Sequence, residues 1–337
     1  MTERRSSRVL TERDAVRRLG RIFRGNAALL GIGDDAACVR LPPRGQLVLS
    51  VDAAFEHVHF ELDWLSLTDI GYRAHMAALS DLAAMGARPR WALSAVSFPK
   101  GATGDQLSAL GRGQARAARE AGAPVVGGNL ARGAGWSVTT TVIGTARAPL
   151  TRSGARAGDE LWLLGEVGLS GAGLSLFRRG GRPLRSSLSL SAERAAKRAF
   201  RRPLARIADG LALRGRAHAV IDVSDGLAGD ALHLAQASGV RVVLERPALE
   251  ALLHPALLAV ARALGQDAVA LALAGGEDYA LLAAGPPARR PRAARVVGRV
   301  EAGRGAVLLD GARRLVLDGG FDHFVSDRSR LRRARSR

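Results

Sequence analysis

Apolar residues Ala15, Val16, Leu19, Ile22 and Phe23 recur at helical spacing, so residues 1–25 predict a helix with breaks. After a glycine-punctuated turn at Gly31-Ile32-Gly33-Asp34-Asp35, residues 46–51 predict a strand that ends at Asp52. Helical spacing returns over 68–85, with Thr68 as the expected cap and Gly86 and Pro89 as the stop. A strand over 91–97, a helix over 105–121, a short strand running into Gly127-Gly128 and a Thr-rich strand over 136–144 complete a first half of roughly αββαβαββ order.

The periodicity lapses over 148–159, where Pro149, Gly154 and Gly158 interrupt a polar, basic stretch. A domain boundary is expected there, giving domains at 1–147 and 148–327 and an Arg-rich tail at 328–337. Beyond it come a strand over 160–164, a glycine-rich loop over 165–173, a helix, and a basic, Ser-rich region over 177–202 expected to be irregular in part. Strands follow at 219–223, 240–244, 279–283 and 296–300, with helices over 227–237 and 248–264. This alternation predicts two α/β or α+β domains without a short-period repeat.

At 337 residues, 47% of them hydrophobic and 24% charged, the chain is long enough for two cores and too apolar for a disordered one. The single cysteine, Cys38, excludes an internal disulfide and a Cys-cluster zinc site. No apolar run reaches the roughly 18 residues that a membrane span needs, and the expected location is the cytoplasm. The formal charge of +19 suggests an anionic polymer as partner. Nearly all of the positive charge is Arg, however, with Lys only at Lys100 and Lys197, in a chain crowded with Ala, Gly and Leu. That composition reads as a solvated surface rather than a dedicated nucleic-acid face.

In so basic a chain the informative feature is where the acids collect. Asp34-Asp35 sit in a glycine turn, Asp52 at a strand end, Asp81 inside an apolar helical stretch, Asp222 and Asp225 around a strand-to-helix turn, and Glu277-Asp278 after Gly275-Gly276. Singly, each has a bland explanation as an Asx-turn, a cap (Ser224 or Asp225 for the following helix) or a turn residue. Together, carboxylates at strand ends beside glycines, with no Cys or His cluster, point to a hard cation such as Mg²⁺ and a phosphate-bearing ligand. The 165–173 loop suits an anion but lacks the Gly-Lys-Ser/Thr of a P-loop. His57 and His59 are expected to point the same way from an extended segment, with one imidazole meeting a phosphate, and His75 and His233 are read as packing or surface residues.

One ordered series of motifs runs through the chain: Gly31-Ile32-Gly33-Asp34-Asp35, Val51-Asp52 with Glu56-His57-Val58-His59-Phe60, Leu79-Ser80-Asp81-Leu82-Ala83-Ala84-Met85-Gly86, Leu150-Thr151-Arg152-Ser153-Gly154, Asp222-Val223-Ser224-Asp225-Gly226, Gly275-Gly276-Glu277-Asp278-Tyr279 and Phe321-Asp322-His323-Phe324. The series closely resembles the thiamine-monophosphate kinase family, within the aminoimidazole ribonucleotide synthetase superfamily. The resemblance implies a two-domain subunit whose N-terminal domains bind ATP and Mg²⁺ and pair into a β-barrel across a homodimer, with ATP near the domain junction. It implies ATP-dependent phosphorylation of thiamine monophosphate to thiamine diphosphate. By motif position, Asp35, Ser50, Asp52, Asp81, Asp222 and Asp225 are expected to hold Mg²⁺, with Asp81 bridging ions. Gly128, Asn129, Arg152 and Ser224 are expected to face ATP, and His59, Glu277 and Phe321 to face thiamine monophosphate.

The chain departs from the family pattern at four places. Asn129 stands where an Asp is usual, Val51 where a Thr is usual, His57 where a Gly is usual, and Phe321 where a Tyr or Trp is usual. The first two replace oxygen ligands and are expected to weaken one Mg²⁺ site. Competing readings are a sister activity of the superfamily, a nucleotide-binding homologue without turnover, and a nucleic-acid binder using the Arg-rich tail. A selenophosphate synthetase is disfavoured, because no cysteine precedes Asp34.

Overall fold

The computed structural model of the chain describes residues 12–23 and 45–317, which fall into two units: Met1–Leu82 with Ala87–Ala148, and Ala83–Gly86 with Pro149–Arg337. In the first, α1 (Glu12–Ile22), β1 (Gln46–Phe55), α2 (Leu67–Ala84), β2 (Arg88–Phe98), α3 (Gly104–Ala121), β3 (Val125–Arg132) and β4 (Ser137–Ala146) follow one another. This αβαβαββ order has one strand fewer among the described residues than expected; residues 24–44 lie outside them. The sheet order is β1-β4-β2-β3, with β4 antiparallel to both neighbours and β2 parallel to β3.

Strict alternation along β4 buries Val138, Thr140, Val142 and Ala146 on one face and leaves the other face partly open. The helices pack closely on each other because glycines let their backbones touch. A Cβ on Gly113 of α3 would lie 2.0 Å from the Thr68 carbonyl oxygen of α2, and one on Gly71 would lie 2.1 Å from that of Leu110. Thr68 therefore does not cap α2; Ser66 does, its Oγ accepting the Asp69 amide at 3.1 Å while Asp69 reaches back to Ser66.

The second unit runs β5 (Glu160–Leu164), α4 (Leu169–Arg179), α5 (Leu190–Arg201), α6 (Ile207–Leu213), β6 (Ala219–Val223), α7 (Leu227–Ser238), β7 (Arg241–Glu245), α8 (Arg246–Glu250), α9 (Pro255–Leu264), α10 (Ala268–Ala274), β8 (Ala280–Gly285), β9 (Arg295–Glu301), β10 (Gly305–Asp310) and β11 (Arg313–Leu317). Its seven strands are ordered β11-β10-β7-β9-β5-β8-β6, and β7–β10 is the one parallel pair. Both faces of this sheet are covered. Leu161 and Leu163 join the cluster built with α4, α7 and α9, whereas Trp162 and Leu164 join a second one with Leu213 and Leu281. Such strands read as continuous apolar runs instead of alternating ones. Truncating a buried Leu here is expected to cost about 2–5 kcal/mol.

Three expectations for this unit need correction. The helix expected over 248–264 is two helices, because Pro255 at the start of α9 follows His254, whose Nδ1 accepts the Ala256 amide at 3.0 Å and caps the second helix. Of the 165–173 glycines, Gly171 and Gly173 are helical; a Cβ on Gly173 would lie 2.1 Å from Ala196 O of α5 and one on Gly171 2.6 Å from the Gly275 Cα, so both serve close packing of α4. The β10–β11 hairpin turns at Gly311-Ala312, a two-residue loop with Gly311 at φ 59° that the reading of periodicity passed over. No single helix among the described residues is long and apolar enough to cross a membrane.

His75, on α2, is fully buried and its Nε2–H donates to the Ala123 carbonyl at 3.1 Å. Burial pushes the imidazole down to about 4, against the hydrogen bond to Ala123. Its folded value lies below the unfolded one, so the unfolded chain binds the proton first as pH falls below about 6.5, and stability drops until about pH 4. A His75→Gln variant keeps a donor and loses the titration. Urea unfolding at pH 7 and pH 5 is expected to show a loss smaller by about 2 kcal/mol in the variant than in the wild type.

Candidate active site

In the first unit, β1 alternates so that Val48, Ser50 and Asp52 face the helices while Leu47, Leu49, Val51 and Phe55 face outward. α2 lays Asp81 against this strand between the fully buried Ser80 and Leu82, and the Ser50 hydroxyl donates to Asp81 Oδ2. Asp52 Oδ1 accepts the Ala53 amide at 2.8 Å. Val51 is 61% exposed on the opposite side of the strand, so a hydroxyl at that position would point away from Asp81.

The pairing register aligns Asp52, Thr140, Ser94 and Gly128 in one row across all four strands. Ser94 Oγ accepts from Gln114 at 2.7 Å, whereas the buried Thr140 Oγ1 has no protein partner. Gly128 needs its missing side chain, since a Cβ would stand 1.9 Å from Ser94 O. Gly128 and Asn129 are exposed on the edge strand β3. Within this sheet they lie three strand spacings from Asp52, about 14 Å, so it does not bring them to the Ser50–Asp81 pair.

The segment after β1 is a turn, not the extended stretch expected. His57 adopts φ 66°, a left-handed conformation that costs a non-glycine residue of order 1–3 kcal/mol, and its Nδ1 pairs with Glu61 at 2.8 Å. A glycine there would be free of that strain. His57 and His59 consequently diverge. The Phe55 amide donates to His59 Nδ1 at 3.1 Å, which leaves the neutral ring's proton on Nε2 and makes that atom a donor.

In the second unit the antiparallel pairing of β6 with β8 sets the carboxyl end of β6 beside the amino end of β8. Asp222, Ser224 and Asp225 therefore lie next to Glu277, Asp278 and Tyr279. The Glu277 amide donates to Ser224 O and the Tyr279 amide to Val223 O, each at 2.8 Å. Neither Ser224 nor Asp225 caps α7. Instead Asp230, buried one turn inside the helix, accepts the Ser224 and Asp225 amides at 3.1 Å each. With both backbone groups of Ser224 engaged, its hydroxyl is what it presents. His233 lies 3.6 Å from Asp230, and that carboxylate raises its pKa against partial burial and the Arg152 charge. Ligand atoms of Asp225, Asp230 and His233 all fall within 4.8 Å of one another. Arg152 is exposed, and the carbonyl before it accepts the Val220 amide at 2.8 Å.

Asp278 is half-buried and turns its carboxyl inward to the start of α4. Burial pushes its carboxyl up to about 8, against the pull of the Gly168 and Ser170 amides. Glu277 and Tyr279, on either side, have φ 68° and 53°. Asp230, His233, Asp278 and Tyr279 have structural parts here that the motif reading did not give them; Asp230 and His233 at i,i+3 on a helix were the available signal. Asp35 and Phe321 lie outside the described residues.

The donor set of Ser50, Asp52 and Asp81, with the unpartnered Thr140 hydroxyl in the same row, is all oxygen, as is the Asp222–Asp225 turn. That chemistry fits a hard divalent cation bound through carboxylates and phosphate oxygens.

The "AIR synthase related protein, N-terminal domain" matches residues 33–146, and the corresponding "C-terminal domain" matches residues 156–310. A thiamine-monophosphate kinase of Mycobacterium tuberculosis is 39% identical over 315 residues, covering 89% of this chain and 91% of that one. The crystal structure of thiamine-monophosphate kinase from Stenotrophomonas maltophilia K279a aligns with TM-score 0.77 at 34% identity, over 87% of this chain and 94% of that one. A structure described as AaThiL complexed with AMPPCP and TMP aligns with TM-score 0.77 at 31% identity, over 93% and 97% of the two chains. With both domains matched in order and the relatives covered over about nine-tenths of their length, the chain belongs to the thiamine-monophosphate kinase family of AIR synthase related proteins.

Proposed function

We propose that the protein phosphorylates thiamine monophosphate to thiamine diphosphate with ATP and Mg²⁺. The observation that carries this reading is the turn at the end of β6, where the chain bearing Asp222, Ser224 and Asp225 is tied to the Glu277–Tyr279 turn by backbone hydrogen bonds at Ser224 and Val223, in a family that includes a structure with an ATP analogue and TMP. The acceptor is itself an ionised phosphate oxygen, so no side chain has to remove a proton. What the protein must supply is position and charge neutralisation.

Asp35, Ser50, Asp52, Asp81, Asp222 and Asp225 are the proposed Mg²⁺ ligands. They would hold the ion where it would neutralise charge on the phosphate oxygens. Gly128, Asn129, Arg152 and the Ser224 hydroxyl are proposed to face ATP, with the Arg152 guanidinium meeting phosphate. His59 Nε2–H is a donor suited to the acceptor phosphate, and Glu277 and Phe321 suit a cationic, aromatic heterocycle. Turnover without Asn129 as a carboxylate is compatible with an amide oxygen as ligand. A homologue without turnover is the weaker reading, because Asp52, Asp81, Asp222 and Asp225 are all present. A cytoplasmic location accords with the proposed biosynthetic role.

A homodimer with a shared β-barrel is proposed on the first unit. Its edge strand β1 exposes Leu47, Leu49, Val51 and Phe55 along one face, an apolar stripe of the kind that a second copy covers.

Three experiments test these points. Protein incubated with ATP, Mg²⁺ and thiamine monophosphate is expected to yield thiamine diphosphate by chromatography, and Asp81→Asn to lose about 100-fold or more of the rate while remaining folded; near-normal turnover removes Asp81 from the site. Asn129→Asp is expected to lower the Mg²⁺ concentration for half-maximal rate several-fold, and an unchanged titration would place position 129 away from the metal. Leu49→Arg combined with Val51→Arg is expected to shift the mass measured by light scattering from dimer to monomer, and an unaltered dimer would put the interface elsewhere.

A further inference from the structure

The turn that carries Glu277 is pinned from several directions. Asp278 faces inward, its two carboxyl oxygens accepting the amides of Gly168 at 2.6 Å and Ser170 at 3.1 Å at the start of α4. The amides on either side of it donate to the carbonyls of Ser224 and Val223. Between these anchors, Glu277 and Tyr279 are both held in left-handed conformations that their side chains disfavour. The Tyr279 ring is 6% exposed, and its hydroxyl donates to Glu277 Oε2.

Backbone anchoring alone does not aim a glutamate. Its three side-chain torsions still have to be ordered when a ligand binds, and that loss is subtracted from affinity. A hydroxyl donating to one carboxylate oxygen removes much of that freedom beforehand, and a bond to an ionised acceptor is stronger than a neutral one. Because the tyrosine is buried and its own backbone is tied to Val223, it is a rigid donor.

We propose that Tyr279 is a positioning residue, whose hydroxyl orients the Glu277 carboxylate toward the cationic, amino-bearing heterocycle of the acceptor and thereby sets acceptor affinity rather than the rate of phosphoryl transfer. This rests on the reading of Glu277 as an acceptor-facing residue. Asp278 supports the arrangement by holding the turn on α4. On that reading Glu277 meets the heterocycle and not the reacting phosphates, so the effect belongs to binding and not to turnover.

The test uses Tyr279→Phe, which keeps the ring and removes only the hydroxyl, with Glu277→Gln and the double variant. Steady-state kinetics and calorimetric binding of thiamine monophosphate without ATP are measured for each, along with thermal melting. The expected result is a roughly tenfold rise in both the KM and the Kd for thiamine monophosphate in Tyr279→Phe, with kcat and the KM for ATP within about twofold and the melting midpoint unchanged. The double variant is expected to be no weaker than Glu277→Gln alone, since the two side chains act as one unit. A Tyr279→Phe variant that binds thiamine monophosphate as the wild type does, or whose effect adds fully to that of Glu277→Gln, overturns the proposal alone. A wild type that neither binds nor phosphorylates thiamine monophosphate overturns the functional reading and the proposal with it.

Discussion

Carboxylates gathered at one place repel each other, and without partners each is costly to hold near an apolar core. This chain answers mainly with backbone amides. Asp230 takes those of Ser224 and Asp225, Asp278 takes those of Gly168 and Ser170, Asp52 takes that of Ala53, and Asp81 takes the hydroxyl of Ser50. The bonds to Asp230 and Asp278 satisfy amides that a turn or a helix start leaves over, and all of the bonds place an acid at a defined point. Asp222, Asp225 and Glu277, the acids expected to meet the ligand, lie on or beside turns that Asp230 and Asp278 hold.

Strain sits in the same turns. Among the described residues, the non-glycine positions with positive φ are His57, Glu277 and Tyr279, one in the turn after β1 and two beside Asp278. None is Asn or Asp, the side chains that tolerate this region best, so each conformation has to be imposed by its surroundings. For His57 the side-chain hydrogen bond with Glu61 and the hydrogen bond from its amide to Phe60 O contribute; for Glu277 and Tyr279 the amide bonds to the end of β6 do. A glycine in the same places would reach the geometry freely but carry no side chain to use there.

The departures from the family pattern acquire different weights once they are placed on the fold. Val51 points away from Ser50 and Asp52, on the outward side of β1, so its missing hydroxyl does not subtract from the Asp81 side of the strand. Asn129 is exposed on an edge strand, where an amide in place of a carboxylate removes a charge. His57 occupies a conformation that suits glycine. Three substitutions that look alike in a motif are therefore unlike in physical consequence.

Local periodicity was enough to read most of the elements, because a helix or strand of ordinary length stamps its own spacing on the sequence, as in the 91–97 and 219–223 strands and the 105–121 helix. Motif order was enough for the family and for the acids at Asp52, Asp81, Asp222 and Asp225 as candidates. Ser66 as the cap of α2, the break before Pro255 and the Gly311-Ala312 hairpin were also written locally and were passed over. The neighbourhoods were not written there. Strand pairing joins residues far apart in the chain, and nothing in the spacing says that β6 and β8 run antiparallel, which is what brings Asp225 to Glu277. Nor does it say that Asp52, Thr140, Ser94 and Gly128 share a row, or that Asp230 turns back to hold the loop before its own helix. The sequence by itself determined which residues carry charge and the period on which they lie; the tertiary structure decided which of them meet, because register and packing depend on the whole sheet at once.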